Sequence, residues 1–164
     1  MAYYQWLKVL SIKRIYAERL ISGTKQMELR KRDLGIRPGT LVLLYETAPN
    51  NRIAGAFMAG KTFSCPVTQM WDEYAPLLGI ARPDYDSYFT GVEIAFGIKS
   101  EGGFTLNIRS YDELQQEFPG FVVPQLTLNW KAEWFVPDDY VEALNAGHER
   151  IKEKFVLAEQ LSLF

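Results

Sequence analysis

The stretch Gly23-Thr24-Lys25-Gln26-Met27-Glu28-Leu29-Arg30 forces a change of period on the chain. Upstream, Ile12, Ile15, Tyr16, Arg19 and Leu20 recur three or four apart, the spacing that gathers apolar groups and long stems on one face of a helix. Gly23 is the natural stop, because glycine takes the left-handed C-cap conformation without a Cβ penalty. From Thr24 onward the period is two. Thr24, Gln26, Glu28 and Arg30 then share one strand face and Lys25, Met27, Leu29 and Lys31 the other, unless the turn shifts Lys25 out of register. A carboxylate and a guanidinium two apart on one face can pair with each other or hold a shared polar ligand. Glu28 and Arg30 are therefore either a structural ion pair or the floor of a binding site.

The remaining segments alternate between the two periods. Residues 6–12 read as a first strand, with Ser11 placed to cap the helix that follows. Residues 31–39 form a polar loop closed by Pro38-Gly39, and Leu41-Val42-Leu43-Leu44-Tyr45 is a continuous apolar run suited to a central strand buried on both faces. After a turn at 47–52, the Gly- and Ala-rich run 53–63 has small residues that allow curvature or close backbone approach. Thr68 is the candidate cap of a helix with Met70, Trp71, Tyr74, Leu77 and Leu78 on its apolar face, stopped by Gly79. A short helix at 83–89 follows, then a strand at 92–98 that Gly102-Gly103 turns into another at 104–108. A small helix at 111–118 ends at Pro119-Gly120. Pro137, Asp138 and Asp139 start a last helix with Val141 and Leu144 inward, which Gly147 interrupts. The class is α+β.

Charge is distributed unevenly. The 164 residues carry a net charge of −2, which argues against a protein that coats DNA by charge alone. Yet up to Thr40 nine basic residues face three acidic ones, so the body beyond must be acidic. Lys25, Arg30, Lys31, Arg32 and Arg37 belong to that basic segment and suit contact with phosphate or nucleic acid, with Lys31, Arg32 and Arg37 forming a basic patch on the loop. Each of them taken singly reads better as a solvated surface charge. One cysteine and one histidine, Cys65 and His148, exclude an internal disulfide and a multi-cysteine zinc site. Cys65 reads as a small buried apolar residue. No metal or cofactor is expected, no apolar run reaches the length of a membrane span, and the first residues lack the pattern of a signal peptide. A cytoplasmic location is expected.

Gly23, Lys25, Glu28 and Arg30 match all four fixed positions of the Gly-x-Lys-x-x-Glu-x-Arg motif of ASCH domains, a branch of the PUA-like superfamily of small β-barrels linked to RNA and modified bases. The preceding Leu10-Ser11-Ile12-Lys13-Arg14-Ile15-Tyr16-Ala17 is similar to the family's strand-into-helix opening, and the following Arg37-Pro38-Gly39-Thr40 turn agrees. The resemblance covers about residues 7–63 well and reaches more loosely to 134. It implies a mixed β-barrel with inserted helices at 1–136, followed by a helical segment at 137–159. Ser11, Lys13, Lys25, Glu28, Arg30 and Tyr45 are the candidate contacts to a nucleic-acid ligand; Tyr45, Trp71 and Tyr88 are candidate stacking walls for a flipped base, although aromatics in a small barrel are more often core. Some ASCH proteins are amidohydrolases of acetylated cytidine or ribonucleases in which the motif lysine acts at the reacting centre, so Lys25 is the candidate catalytic residue. Those amidohydrolases carry threonine where this chain has Glu28; Ser11, Thr24 and Thr47 are the hydroxyls that could substitute.

The last residues, Gln160-Leu161-Ser162-Leu163-Phe164, resemble at every position the peptide by which bacterial replication and repair proteins bind the DNA sliding clamp. In that resemblance Gln160 bonds at the rim of a pocket while Leu161, Leu163 and Phe164 fill it; such side chains contribute roughly 1.5 to 3 kcal/mol each before ordering costs. The alternative is that Leu157, Leu161 and Phe164 form the apolar stripe of a last helical turn that docks on the body. Three functions remain open: a nucleic-acid-binding module that reads a modified or flipped base in RNA or DNA and is tethered to the clamp; a small hydrolase or ribonuclease using Lys25; and a phage or mobile-element adaptor or inhibitor of the clamp.

Overall fold

A computed structural model of the protein describes residues 3–162, without the side chains at 155, 158, 159, 161 and 162. A single 3-10 turn, Tyr3–Trp6, leads into β1 (Leu7–Ile12), α1 (Arg14–Ser22) and β2 (Met27–Arg30). Next come β3 (Leu41–Glu46), β4 (Arg52–Pro66), α2 (Val67–Leu78) and α3 (Arg82–Tyr88). The chain continues through β5 (Ile94–Ser110), α4 (Tyr111–Glu117), β6 (Thr127–Asn129) and α5 (Asp138–Ser162). The six strands form one mixed sheet in the order β2-β5-β4-β3-β1-β6, open between β2 and β6. Among the described residues only β1 and β3 run parallel, paired from Leu7 opposite Leu41 to Ile12 opposite Glu46. The fold class is the α+β arrangement expected, with helices inserted between strands.

Side-chain alternation divides the core. Leu7 and Val9 of β1 join Leu41, Leu43 and Tyr45 of β3 on one face, under Trp130, Trp134, Tyr140 and Leu144. Leu10 and Ile12 join Val42 and Leu44 on the other, under Ala17 and Leu20 of α1. A third cluster packs Met27 and Leu29 of β2 against Met70 and Leu78 of α2 and Tyr85 of α3. Every residue of β3 is buried, as its unbroken apolar run requires.

Five local expectations give way to longer-range packing. Gly102-Gly103 is not a turn: β5 is one continuous strand, and two of its residues, Glu101 and Gly102, stand opposite the single Met58 of β4 between the pairs Phe57 to Gly103 and Ala59 to Ser100, a bulge that includes Gly102 (φ +146°). Gly103 is glycine because a Cβ there would run into the carbonyl oxygen of Leu20, so its absence lets α1 lie flat on the sheet. Gly147 does not interrupt α5, which passes through it; the Met58 side chain fills the space its Cβ would occupy. Neither proposed cap holds. Lys13 and Pro66 stand at the N-cap positions of α1 and α2 and make no side-chain capping bond, while the Ser11 hydroxyl donates to the carbonyl of Pro124 instead. Cys65 is half-buried rather than fully enclosed, and burial pushes its thiol pKa up. Among the described residues no helix is long and apolar enough to cross a membrane.

Candidate functional site

The C-terminus of α1, the N-terminal end of β2 and the C-terminus of α2 meet around Lys25. Gly23 (φ +85°) closes α1 with its amide on the carbonyl of Leu20, and the Lys25 amide then bonds to the carbonyl of Arg19 at 2.9 Å. This tight reversal moves Lys25 out of the strand's alternation. Met27 and Leu29 go to the apolar side, and Lys25 turns to the side of Glu28 and Arg30. The end of α2 is brought against it by Gly79, whose left-handed conformation (φ +57°) leaves room where a Cβ would meet the backbone and Cβ of Lys25. Three last-turn carbonyls are thereby placed on donors: Leu77 accepts from the Gln26 amide at 2.8 Å, Leu78 from Lys25 Nζ at 2.6 Å, and Gly79 from Arg19 Nη1 at 2.9 Å. Two cations at the negative end of a helix is the favourable sense of the helix dipole.

Beside these carbonyls lies an ionic row. Lys25 Nζ stands 3.8 Å from Glu28 Oε1, an ion pair with no hydrogen bond, while Glu28 Oε2 accepts from Arg30 Nη2 at 2.9 Å. Glu28 Oε1 also accepts from the Leu29 amide at 2.8 Å, and Arg30 Nη2 donates to the Ser11 carbonyl at 2.9 Å, which ties β2 to the end of β1. Lys25 is 2% and Glu28 4% exposed. Burial lowers the Lys25 pKa, and the neighbouring Arg30 and Arg19 push the same way, against the opposing pull of Glu28. For Glu28, burial works toward a higher pKa, but Arg30, Lys25 and the two hydrogen bonds outweigh it and leave the carboxyl below its ordinary value. The row therefore holds a carboxylate between two cations.

It forms the floor of a cavity of about 460 Å³, within the roughly 300–1,000 Å³ of small-molecule sites. Ser11, Lys13, Lys25, Glu28 and Arg30 all line it, the five brought together from β1, the α1 entry and β2. Thr47 adds a hydroxyl, whereas Thr24 is exposed outside it and bonded to Ser22. Tyr16 stands on one side, its ring centroid 5.5 Å from Lys25 Nζ, and Tyr88 lines the cavity from α3 with Lys31 Nζ 4.8 Å over its ring.

Tyr45 does not belong to the site. Its β3 position points it to the opposite face of the sheet, where it is fully buried in the main core beside Phe121. Trp71 likewise packs on Tyr85 and under Arg82, away from the cavity. The basic patch is dispersed. Lys31 sits by Tyr88, Arg32 lines a smaller groove of about 200 Å³ beside Arg30, and Arg37 lines a third depression at the start of β1. Gln160 is exposed on α5, with Leu161 and Ser162 following it in the same helix; Leu163 and Phe164 lie outside the described residues.

Sequence reasoning missed Tyr16, Asp84, Ser87 and Gln125, which complete the walls. Asp84, Ser87 and Tyr88 stand at i, i+3 and i+4 in α3, so a polar face was readable there, but nothing local says that it looks toward β2. Gln125 arrives through the Pro124 carbonyl that receives Ser11.

No protein-family model matches the chain, and no curated protein matches its sequence. Solved structures do. The crystal structure of ASCH from Zymomonas mobilis superposes with a TM-score of 0.72 at 20% identity, over 87% of this chain and 95% of that one. A Tyr-to-Phe variant of the same protein gives 0.72 at 19% identity over 86% and 97%. A Ser-to-Ala variant gives 0.71 at 20% over 86% and 95%. The fold of this chain is thus that of these ASCH proteins, and Lys25, Glu28 and Arg30 of its Gly-x-Lys-x-x-Glu-x-Arg motif form the cavity floor.

Proposed function

We propose that the protein is a nucleic-acid-binding module whose cavity receives a single nucleobase, modified or flipped out of its strand, and that the peptide 160–164 tethers it to a sliding clamp. The observation that carries the first part is the ionic row. Lys25, Glu28 and Arg30 lie along an open cavity rather than beneath packed side chains, and two tyrosines flank them. A base edge presents donors and acceptors side by side, and a carboxylate between two cations offers the complementary acceptors and donors. Tyr88 supplies an aromatic face for the ring, and Lys13, exposed at the mouth, is placed for an adjoining phosphate. The clamp tether rests on the sequence of the peptide, and it requires the last turn of α5 to leave the helix and extend.

A second reading has one observation in its favour. Lys25 has a lowered pKa and shares the cavity with the Thr47 hydroxyl, which holds the Ile12 carbonyl only at 3.5 Å, whereas the Ser11 hydroxyl is engaged with Pro124 and Thr24 lies outside. A neutral lysine there could take a proton from a water attacking the carbonyl and return it to the leaving nitrogen as the C–N bond breaks, giving amine and carboxylic acid.

Calorimetric titration with modified nucleosides and with single strands carrying them tests both. Binding without turnover, weakened about tenfold in Tyr88→Ala, supports the module. Turnover lost in Lys25→Met selects the hydrolase. Absence of binding to nucleosides and to nucleic acid at low salt would overturn both.

A further inference from the structure

At the opposite end of β1 from the cavity, a second depression of about 470 Å³ is as large as the first. It lies between the Tyr3–Trp6 turn, the loop after β2 and the junction following β6, and no part of the proposed base site extends into it. Three aromatic residues, Tyr4, Trp6 and Trp130, line it together with Lys8, Arg37 and Asn129. Trp130 is the floor, 3% exposed and anchored in the main core, whereas Tyr4 is open at 37%. Trp6 is steadied edge-on against His148 with ring centroids 4.9 Å apart.

The cations are arranged rather than scattered. Lys8 Nζ donates to the carbonyls of Leu34 at 3.1 Å and Gly35 at 2.9 Å, which fastens the loop carrying Arg37 and leaves one of its three donors over. Arg37 is exposed and makes no ion pair among the described residues. The Asp33 carboxylate that faces this loop is engaged by the Gly35 amide at 2.8 Å. Burial depresses the Lys8 pKa; Asp33 opposes the shift, and Arg37 adds to it. An anion placed between Lys8 and Arg37 would relieve their mutual repulsion. Rigid aromatic surface, two cations sharing a space and an uncommitted side-chain amide are the set that holds an unpaired nucleotide: base on ring, phosphate on cation, base edge on amide.

We infer that this groove binds an unpaired nucleotide of single-stranded nucleic acid, its base stacked against Tyr4 or Trp6 and its phosphate held by Lys8 and Arg37. It stands independently of the base cavity, whose residues it does not share. An acidic peptide would satisfy the cations but leave the aromatic wall without a stacking partner.

The test is fluorescence anisotropy of the full chain with a labelled mixed-sequence single strand about ten nucleotides long, within the site sizes of single-strand binders, over a range of salt. Arg37→Ala is expected to weaken binding about tenfold and to reduce the magnitude of the logarithmic salt slope by about 0.7, the value for one phosphate contact on a single strand. Tyr4→Ala, at an exposed position, is expected to weaken binding by about five- to tenfold with the slope unchanged. The Trp6 and Trp130 indole N–H signals should shift on titration in a two-dimensional NMR spectrum. Unchanged affinity and slope in both variants, no binding of the strand by the wild type, or equal displacement by polyglutamate of matched charge would overturn the assignment.

Discussion

Lys25 and Glu28 face each other at 3.8 Å with 2% and 5% of their side chains exposed, and their pKa values are both displaced downward. The same direction means opposite things for the two. A lowered pKa favours the charged form of a carboxyl and disfavours that of an amine. The neighbours of Glu28 favour its ionised form, while the surroundings of Lys25 work against its charge.

Glu28→Gln leaves Lys25 and Arg30 without the carboxylate between them, and breaking one partner of a buried ionic pair costs about 3–5 kcal/mol. Glutamine keeps the shape and an acceptor for the Leu29 amide, so the expected loss lies near the lower end. Urea denaturation measures it. The sign with pH follows from the depressed carboxyl: its contribution is complete above its ordinary value of 4.5 and is lost as pH falls from there through the folded value. The difference between wild type and variant should therefore be flat from pH 5 to 7 and shrink below about 4.5. A difference that grows in acid would contradict the assigned direction.

How much of this arrangement was legible in the sequence depends on the range of the cause. The helix, Gly23 and the shared face of Glu28 and Arg30 follow from local periodicity and were readable. The side taken by Lys25 was not, because it is set by the Leu78 carbonyl, which lies 53 positions away and reaches it only through a left-handed Gly79. The same reason explains Gly102-Gly103, a turn signal by local chemistry that serves instead as a bulge and a seat for α1. Tyr45 illustrates a different failure. A strand buried on both faces gives no apolar-polar contrast to say which face meets the cavity.

Lys25→Met separates the lysine's own pH dependence from that of the rest of the chain. The depressed amine binds fewer protons folded than unfolded between its lowered value and 10.5, so it makes stability rise with pH across that window. The tyrosines work the other way. Burial raises the pKa of Tyr16, Tyr45 and Tyr88, and that of Tyr85 to about 12, so stability falls as the unfolded phenols ionise near 10. The wild-type curve mixes both, and only the difference from Lys25→Met isolates the lysine. That difference should move in favour of the wild type between neutral pH and 10.5, measured by urea midpoints in buffers of equal ionic strength.

Gly103→Ala tests the close approach of α1. The added methyl meets the Leu20 carbonyl and neighbouring backbone of Ile21, which cannot rotate away as a side chain would. Overpacking of this kind costs about 1–3 kcal/mol, readable as a lower denaturation midpoint with unchanged slope. Gly91→Ala is the control, since it has a positive φ of 74° but nothing near its Cβ; it carries backbone strain without the clash. A Gly103→Ala protein as stable as the wild type would mean that α1 lifts from the sheet without loss.

The tether makes the last prediction. Val156 and Leu157 of α5 are 51% and 57% exposed and Gln160 is exposed, so beyond Ile151 and the Lys154–Glu101 ion pair the described part of the helix end has little hold on the core. Removing Leu163 and Phe164 should therefore change the melting temperature little. The same deletion should abolish binding to a bacterial sliding clamp, because the apolar anchors contribute roughly 1.5 to 3 kcal/mol each to an affinity that ordering costs hold near micromolar. Gln160→Ala, which keeps both anchors and removes the rim hydrogen bonds, should weaken binding about tenfold without abolishing it, since hydrogen bonds of this kind contribute about 1 kcal/mol each. Surface plasmon resonance on immobilised clamp reads both variants. A melting temperature that drops by several degrees on deletion, with clamp binding retained, would assign the two residues to the protein's own packing and leave the cavity without a tether.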